Sequence, residues 1–355
     1  GEMMEETLCG VTAFKLHRVP PQVIGLCPPL PGVSGDHNRR EFLSHPVVNE
    51  ILGTPLHRLV TARCDLSSRK HFRDHLWTAE LPLGSIHEHI LGINVTSPTM
   101  TLLTLATSIP FPQLIMAIYE VCGGFSIFKP TPSLEELLQR HWGDCSSECA
   151  GWKRVTSTKG KQTSLWMRPP LVELEEMRRF AKSVQGRRGA AVLERATELV
   201  TGPCDSPFEV QASLLLGLPR RFGGMGFTDI ENNKVIHLSS DARALYGKST
   251  CRADIYLEGN SVAGPVDIEC QGAMVHDSGE SAISDSRRTA ALQSMGIDVV
   301  PVTFDQISDP RSFGALAALV AKRSGRKLAP KTEGLQRREL DLRRNVLIDW
   351  GTLGE

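Results

Sequence analysis

Two strand-like runs and one helix start carry the residues whose spacing allows chemistry. Asp254 lies in R-A-D-I-Y-L, Asp267 and Glu269 alternate with Gln271 in D-I-E-C-Q, and Glu209 closes S-P-F-E. Carboxylates gathered on one face of a sheet repel one another unless a cation offsets the charge, and hard oxygen ligands suit Mg²⁺ or Mn²⁺. Such an ion lowers the pKa of a bound water and offsets negative charge developing on a phosphate. The alternative is the solvated face of an antiparallel hairpin. Glu209 has two readings as well, support of a metal or closure of a capping box in which its side chain returns to the helix start.

The elements that must position these groups can be read from pattern. Cys251–Leu257 and Pro265–Gln271 read as strands joined through Glu258-Gly259-Asn260 and Gly264. Alternation puts Arg252, Asp254 and Tyr256 on one face and Asp267, Glu269 and Gln271 on one face of the partner, leaving Val266, Ile268 and Cys270 for the core. A helix opens at Ser206-Pro207, runs through Leu214–Leu216 and stops at Pro219, before a turn at Gly223–Gly226. The β-branched run 297–304 reads as a buried central strand, although Pro301 removes a ladder donor. A helix over about 310–324 with Phe313, Leu316, Leu319 and Val320 on one stripe would cover the sheet.

The order Glu209 on a helix, Asp254 on a strand, Glu269-x-Gln271 on the next strand and then a helix resembles the PD-(D/E)XK nuclease fold. The stretches SPFEVQASLLLGLPRRFGGMGF, RADIYLEG, DIECQGAMVH and SDSRRTAALQSMGIDVVPVT are similar to the branch related to very-short-patch repair endonucleases. That resemblance implies an α/β chain whose C-terminal restriction-endonuclease-like domain has a mixed central sheet flanked by helices. It implies a Mg²⁺- or Mn²⁺-dependent endonuclease acting on DNA, with Asp254 and Glu269 as metal ligands, Glu209 supporting the metal or a second ion, and His276 as proton donor or phosphate contact. Gln271 stands at the motif's usual lysine, where an amide orients water and donates a hydrogen bond but carries no charge. Asp285 and Arg288 match a D-x-x-R helix start and are read either as active-site support or as a surface i,i+3 pair.

The front half reads as an α+β domain. Residues from about Arg63 to Phe128, with GINVTSPTMTLLTLA and Tyr119-Glu120-Val121-Cys122-Gly123, resemble the AbiEi-like module of abortive-infection antitoxins, which implies a defence or toxin–antitoxin setting and a cognate toxin or other protein partner. Short strands are expected at 75–77, 85–87 and 92–95. Ser97 followed by Pro98 predicts an N-capped helix through Ala106, with a second helix from about Gln113 to Val121. Val11–Gly35, rich in Pro and Gly, reads as an extended arm or loop. The resulting division is a Pro-rich arm and domain start over 1–62, the AbiEi-like module over 63–150, a basic linker and helix over 151–200, the nuclease-like domain over 201–330 and a charged tail over 331–355.

Composition bounds the remaining classes. The 355 residues carry 40 basic and 40 acidic side chains, so the chain is not a uniformly basic nucleic-acid coat. Two segments depart from that balance: Lys153–Arg188 holds ten Lys/Arg against three Glu, and Lys322–Asp349 holds nine against four acids, so each could face phosphates or simply be a solvated surface. Nine scattered cysteines read as reduced thiols. The opening residues show no secretory signal, and the apolar stretch 102–119 is broken by Pro110 and Pro112, so a cytoplasmic chain without a membrane span is expected. His141, Cys145 and Cys149 recur every four residues but lack a fourth zinc ligand, and phosphate-loop and G-x-S-x-G signatures are missing. A catalytically inactive DNA-binding or antitoxin-like protein of the same fold is the rival to the nuclease.

Overall fold

The computed structural model describes residues 6–31, 36–143, 147–272 and 278–355. It is mixed α/β and forms two compact units, one of Gly1–Val155, Gln162–Glu198 and Trp350–Glu355, the other of Thr156–Lys161 with Leu199–Asp349. Among the described residues no helix is long and apolar enough to cross a membrane. The cysteines at 9, 27, 64, 122, 149, 204, 251 and 270 are free thiols.

The first unit begins with β1 (Thr7–Leu8), α1 (Gly10–His17), α2 (Pro21–Ile24) and α3 (Asp36–Ser44), then β2 (Leu56–Val60), β3 (Phe72–Leu76), β4 (Ile86–Glu88) and β5 (Asn94–Thr96). These strands form one sheet in the order β3-β2-β1-β5-β4. It continues with α4 (Pro98–Leu105), α5 (Phe111–Cys122), β6 (Phe125–Ile127), α6 (Pro132–Trp142), β7 (Lys153–Thr156), β8 (Gln162–Met167), α7 (Leu174–Ser183) and α8 (Ala190–Glu198). The expected N-cap of α4 is present: the Ser97 side chain accepts from the backbone N–H of Met100, and Pro98 occupies the first turn.

The Pro-rich segment is not an extended arm, because α1 and α2 form within it; Pro21 sits at the first position of α2, where its missing N–H costs nothing. The stretch 151–200 is not a linker. Leu165 and Trp166 of β8, Met177 and Ala181 of α7, and Ala190, Leu193 and Ala196 of α8 are buried, so an apolar stripe runs beneath the basic residues. Two of those basic residues are themselves interior: Arg154 forks onto Glu135, and Arg168 donates to the carbonyl of Glu120 at 2.7 Å. The unit is also tied together by a buried ion pair. Arg18 Nε and Nη2 donate to the two Glu120 carboxylate oxygens at 2.7 and 3.0 Å, and Trp350 Nε1 donates to Glu120 Oε1 at 2.8 Å.

The second unit consists of α9 (Pro207–Gly217), β9 (Glu231–His237), α10 (Ser240–Tyr246), β10 (Thr250–Leu257), β11 (Val266–Gln271), α11 (Ser278–Ser294), β12 (Asp298–Thr303), α12 (Phe304–Ser308), α13 (Pro310–Ser324) and α14 (Glu333–Val346). Its sheet is mixed, in the order β12-β11-β10-β9. The pairs β9/β10 and β10/β11 are antiparallel, and β11/β12 is parallel. β12 is therefore an edge strand, not the central strand expected, and the exposed Pro301 fits there because an edge N–H needs no partner. On α13, Phe313, Leu316 and Val320 are buried while Leu319, expected on the same stripe, is exposed.

The C-terminal 331–355 is not a tail. Leu335, Leu342 and Val346 of α14 are buried, and Gln211 of α9 donates to the Val346 carbonyl at 3.0 Å. Arg343 donates to the carbonyls of Ile307 and Ser308, and Arg323 and Arg326 pair with Asp298 and Asp229. The second basic segment thus spends part of its charge on pairing within its own unit, while Lys322, Arg323, Lys327, Lys331, Arg337, Arg338 and Arg344 are exposed.

Candidate functional site: a buried acidic cluster

The β10/β11 register pairs Ile255 with Ile268, Tyr256 with Asp267 and Leu257 with Val266. The pleat that buries Ile255, Leu257, Val266 and Ile268 sends Asp254, Asp267 and Glu269 to one region, as alternation predicted. The solvated-hairpin reading does not hold for this face: Asp267 is 0% exposed and Glu269 is mostly covered. α9 brings Glu209 to the same region, because Ser206 caps its first turn and fixes where the third helical position points.

Each carboxylate has its own partners. Asp254 Oδ2 accepts from the Cys270 backbone N–H at 2.9 Å. Glu209 accepts from the Asp205 N–H at 3.1 Å and from Ser206 Oγ at 3.2 Å, so capping geometry and membership of the acidic cluster coexist in one side chain. The backbone N–H it takes is that of Asp205, one residue before the expected N-cap. Glu269 Oε1 accepts from Arg288 Nη2 at 2.5 Å, and the same nitrogen lies 3.5 Å from Asp267 Oδ2 and donates to the Arg252 carbonyl. Both Asp267 oxygens are buried, and the neighbouring carboxyl of Glu269 is their hydrogen-bonding partner. Behind Asp254, the buried Asn232 donates to Ser213 Oγ at 2.6 Å and to the Asp254 carbonyl at 3.4 Å, anchoring β9 and β10 to α9.

Burial and mutual repulsion govern the protons. Burial, followed by the charges of Glu269 and Glu209, pushes Asp254 up to about 8. Burial, with the Asp205 and Glu269 charges, pushes Glu209 up to about 7. Asp267 lies well above the usual carboxylate range for the same first reason, and a proton retained there can be shared with Glu269. Glu269 is opposite in direction: burial raises it, but the hydrogen bonds of Asp267 and Arg288 outweigh that and keep it ionised. Burial likewise pulls Arg288 down, and Glu269 and Asp267 more than restore it. Such divergence among neighbouring titratable groups marks sites of function more often than ordinary surfaces.

Of the residues singled out in the sequence, Glu209, Asp254, Glu269 and Arg288 meet here. Gln271 is exposed at the end of β11, Asp285 is exposed on α11, and His276 lies outside the described residues, as does Cys145. Arg288 is thus not merely half of a surface pair with Asp285. Cys270, expected on the core face, is only partly buried as a residue, yet burial and the Asp254 charge push its thiol far up, as burial and Glu209 do for Cys204. Neither thiol is poised as a nucleophile. Asp267, which alternation put on the same face as Glu269 although the family resemblance gave it no role, also lies in the cluster.

Among the described residues no three His, Cys, Asp or Glu side chains are grouped so as to hold a metal ion. The acidic side chains of the cluster present oxygen atoms only, from Glu209, Asp254, Asp267 and Glu269. Compared with models of known protein families, with curated proteins and with solved structures, the chain matches none.

Proposed function

We propose that the second unit is a PD-(D/E)XK-type, divalent-metal-dependent DNA endonuclease of the branch related to very-short-patch repair enzymes, preceded by an AbiEi-like module that makes regulatory or protein-partner contacts. The setting implied is cytoplasmic, in phage defence or a toxin–antitoxin pair. The observation that carries the reading is the meeting of Asp254 and Glu269, from adjacent antiparallel strands, with Glu209 and Asp267 in one buried acidic cluster. Burying four carboxylates together is unfavourable for stability and is retained where the charge has a use.

Asp254 and Glu269 would hold Mg²⁺ or Mn²⁺, with Glu209 behind them. A bound ion would supply a water of lowered pKa and offset charge building on the scissile phosphate. The chain's own contribution is placement: the Cys270 N–H fixes one Asp254 oxygen, and the Asp205 N–H and Ser206 hydroxyl fix Glu209. Gln271, exposed at the strand end, can orient the attacking water by hydrogen bonding. Because that amide carries no charge, an inactive DNA-binding or antitoxin-like protein is the second reading.

Cleavage of supercoiled, linear and mismatched DNA with Mg²⁺ or Mn²⁺ separates the two. Cutting by the wild type that is lost in both Asp254→Ala and Glu269→Ala is the expected result. Inactivity of all three proteins, with DNA binding that weakens steeply as salt rises, transfers the assignment to the binding module.

A further inference from the structure

Part of the positive charge of the first unit is spent on its own fold, and the remainder gathers at one turn. Arg154 forks onto Glu135, Arg168 donates to a backbone carbonyl and Arg178 pairs with Glu175. From Met177 to Leu193 the chain holds five Lys/Arg and no acid. Among the described residues no carboxylate pairs with Arg179, Lys182, Arg187 or Arg188, and all four are exposed, on α7 and the turn that leads into α8. Arg178 and Arg179 each stand one helical turn from Lys182, an arrangement of like charges that destabilises a helix. The turn itself is fixed. Val184 and Ala190 are buried, the Arg187 N–H donates to the Val184 carbonyl at 3.1 Å, the Ala190 N–H to the Arg187 carbonyl at 3.1 Å, and Gln185 Nε2 to the Ala181 carbonyl at 2.8 Å. A Cβ at Gly189, where φ is +84°, would lie 3.1 Å from Ala106 Cβ and 3.2 Å from the Leu103 carbonyl oxygen, so glycine alone lets the turn close down on α4.

The same positive surface reaches β3. Burial, then the charges of Arg73 and Arg188, hold His75 below the ordinary histidine range, so Arg188 acts on the strand that exposes Arg73. Asp74, the acid between Arg73 and His75, is already held through both oxygens by Arg58. We propose that Lys182, Arg187 and Arg188, flanked by Arg179 and Arg73, form a surface of the first unit that binds the phosphate backbone of a nucleic acid. This gives the first unit a ligand of its own and does not rest on the chemistry of the second. Guanidinium forks match phosphate oxygens in pairs, and cations already held in place lose little freedom on meeting them. The residues between the cations decide against other polyanions. Ser183, Gln185, Gly186 and Ala191 are the exposed ones from 182 to 191, and none is a large apolar side chain. A protein interface would lack its buried anchor there, and an anionic membrane would find nothing to insert.

Fluorescence anisotropy of short labelled DNA and RNA duplexes tests the surface on the full chain, with chelator present so that no metal-dependent cleavage intervenes, over a series of salt concentrations. Each phosphate contact contributes about 0.9 to the slope of log affinity against log salt on DNA. The triple variant Lys182→Gln/Arg187→Gln/Arg188→Gln should therefore lower that slope by about 2 to 3 and weaken binding roughly tenfold or more. The triple Lys182→Arg/Arg187→Lys/Arg188→Lys should keep the wild-type slope, and Arg140→Gln/Lys153→Gln, which removes exposed cations elsewhere in the unit, should leave it nearly unchanged. Binding to either duplex supports the surface, and the tighter one names the backbone. Hydrogen exchange of the wild type with and without duplex needs no variant to fold, and protection over 182–190 is expected. Wild-type binding to neither duplex, or binding that the glutamine triple leaves intact with no protection over 182–190, overturns the surface. So does binding to phosphatidylserine vesicles or to polyglutamate in place of the duplexes. Mg²⁺-dependent cutting that persists alongside any of those results spares the nuclease reading, because the chelated assay does not touch it.

Discussion

Replacing Asp254 by Asn should stabilise the metal-free protein. In the native state burial and the Glu269 and Glu209 charges raise this carboxyl to about 8, whereas an unfolded aspartate titrates near ~3.9. Between those values the folded chain holds a proton that the unfolded chain releases, so stability is full below about pH 4 and falls as pH rises toward 8. At pH 7 the penalty spans ~3 pH units at ~1.4 kcal/mol each, an upper bound of about 4 kcal/mol. Asparagine removes the titration, and its Oδ1 can still accept from Cys270 N. Its new amide hydrogens need acceptors, which Glu209 and Glu269 can supply, and incomplete pairing costs about 1–3 kcal/mol. The net expectation is a gain of about 1–3 kcal/mol at pH 7 that turns into a loss of about 1–3 kcal/mol near pH 4, where the pairing cost alone remains. Urea unfolding followed by far-UV circular dichroism, with chelator present, measures both ends of that range. A variant less stable than wild type at pH 7, or a gain that is the same at pH 4 and pH 7, would refute the claim that Asp254 is held under electrostatic stress.

Two further outcomes follow from the first unit. Glu120→Ala strands the buried Arg18 guanidinium and the Trp350 indole N–H, and should cost about 3–5 kcal/mol in denaturant unfolding; the Arg18→Met/Glu120→Met pair should cost clearly less, because no charge is left unpaired. Burial lowers His17 to about 4 while its ring bonds the Thr96 carbonyl, so the unfolded chain binds a proton there that the native chain refuses. Stability should therefore decline as pH drops from about 6.5 to 4, by up to ~1.4 kcal/mol per pH unit from this residue, and His17→Gln should flatten the slope of unfolding free energy against pH.

The pairing of Cys251–Leu257 with the D-I-E-C-Q strand was legible because period-2 alternation and Gly turns are local signals, and Ser206-Pro207 announced its helix in the same way. The same local rules misread other segments. Pro20 and Pro21 look like breakers yet Pro21 begins a helix, and the β-branched run 298–303 looks central yet lies at an edge. In both, the outcome depends on what packs alongside rather than on the residues' own preferences. Charge counts misled for a related reason: Arg154 and Arg168 enter any tally of basic surface, and both are buried.

Alternation alone puts Asp254, Asp267 and Glu269 on one side of a hairpin, since side-chain direction along a strand follows from backbone geometry. No local pattern tells that this side is buried, that α9 delivers Glu209 to it or that Arg288 turns inward from α11 to hold Glu269. Those facts depend on how elements far apart in the chain pack. Burial, in turn, converts a row of ordinary carboxylates into one whose members titrate apart, because the cost of an uncompensated charge is set by the surroundings and not by the residue.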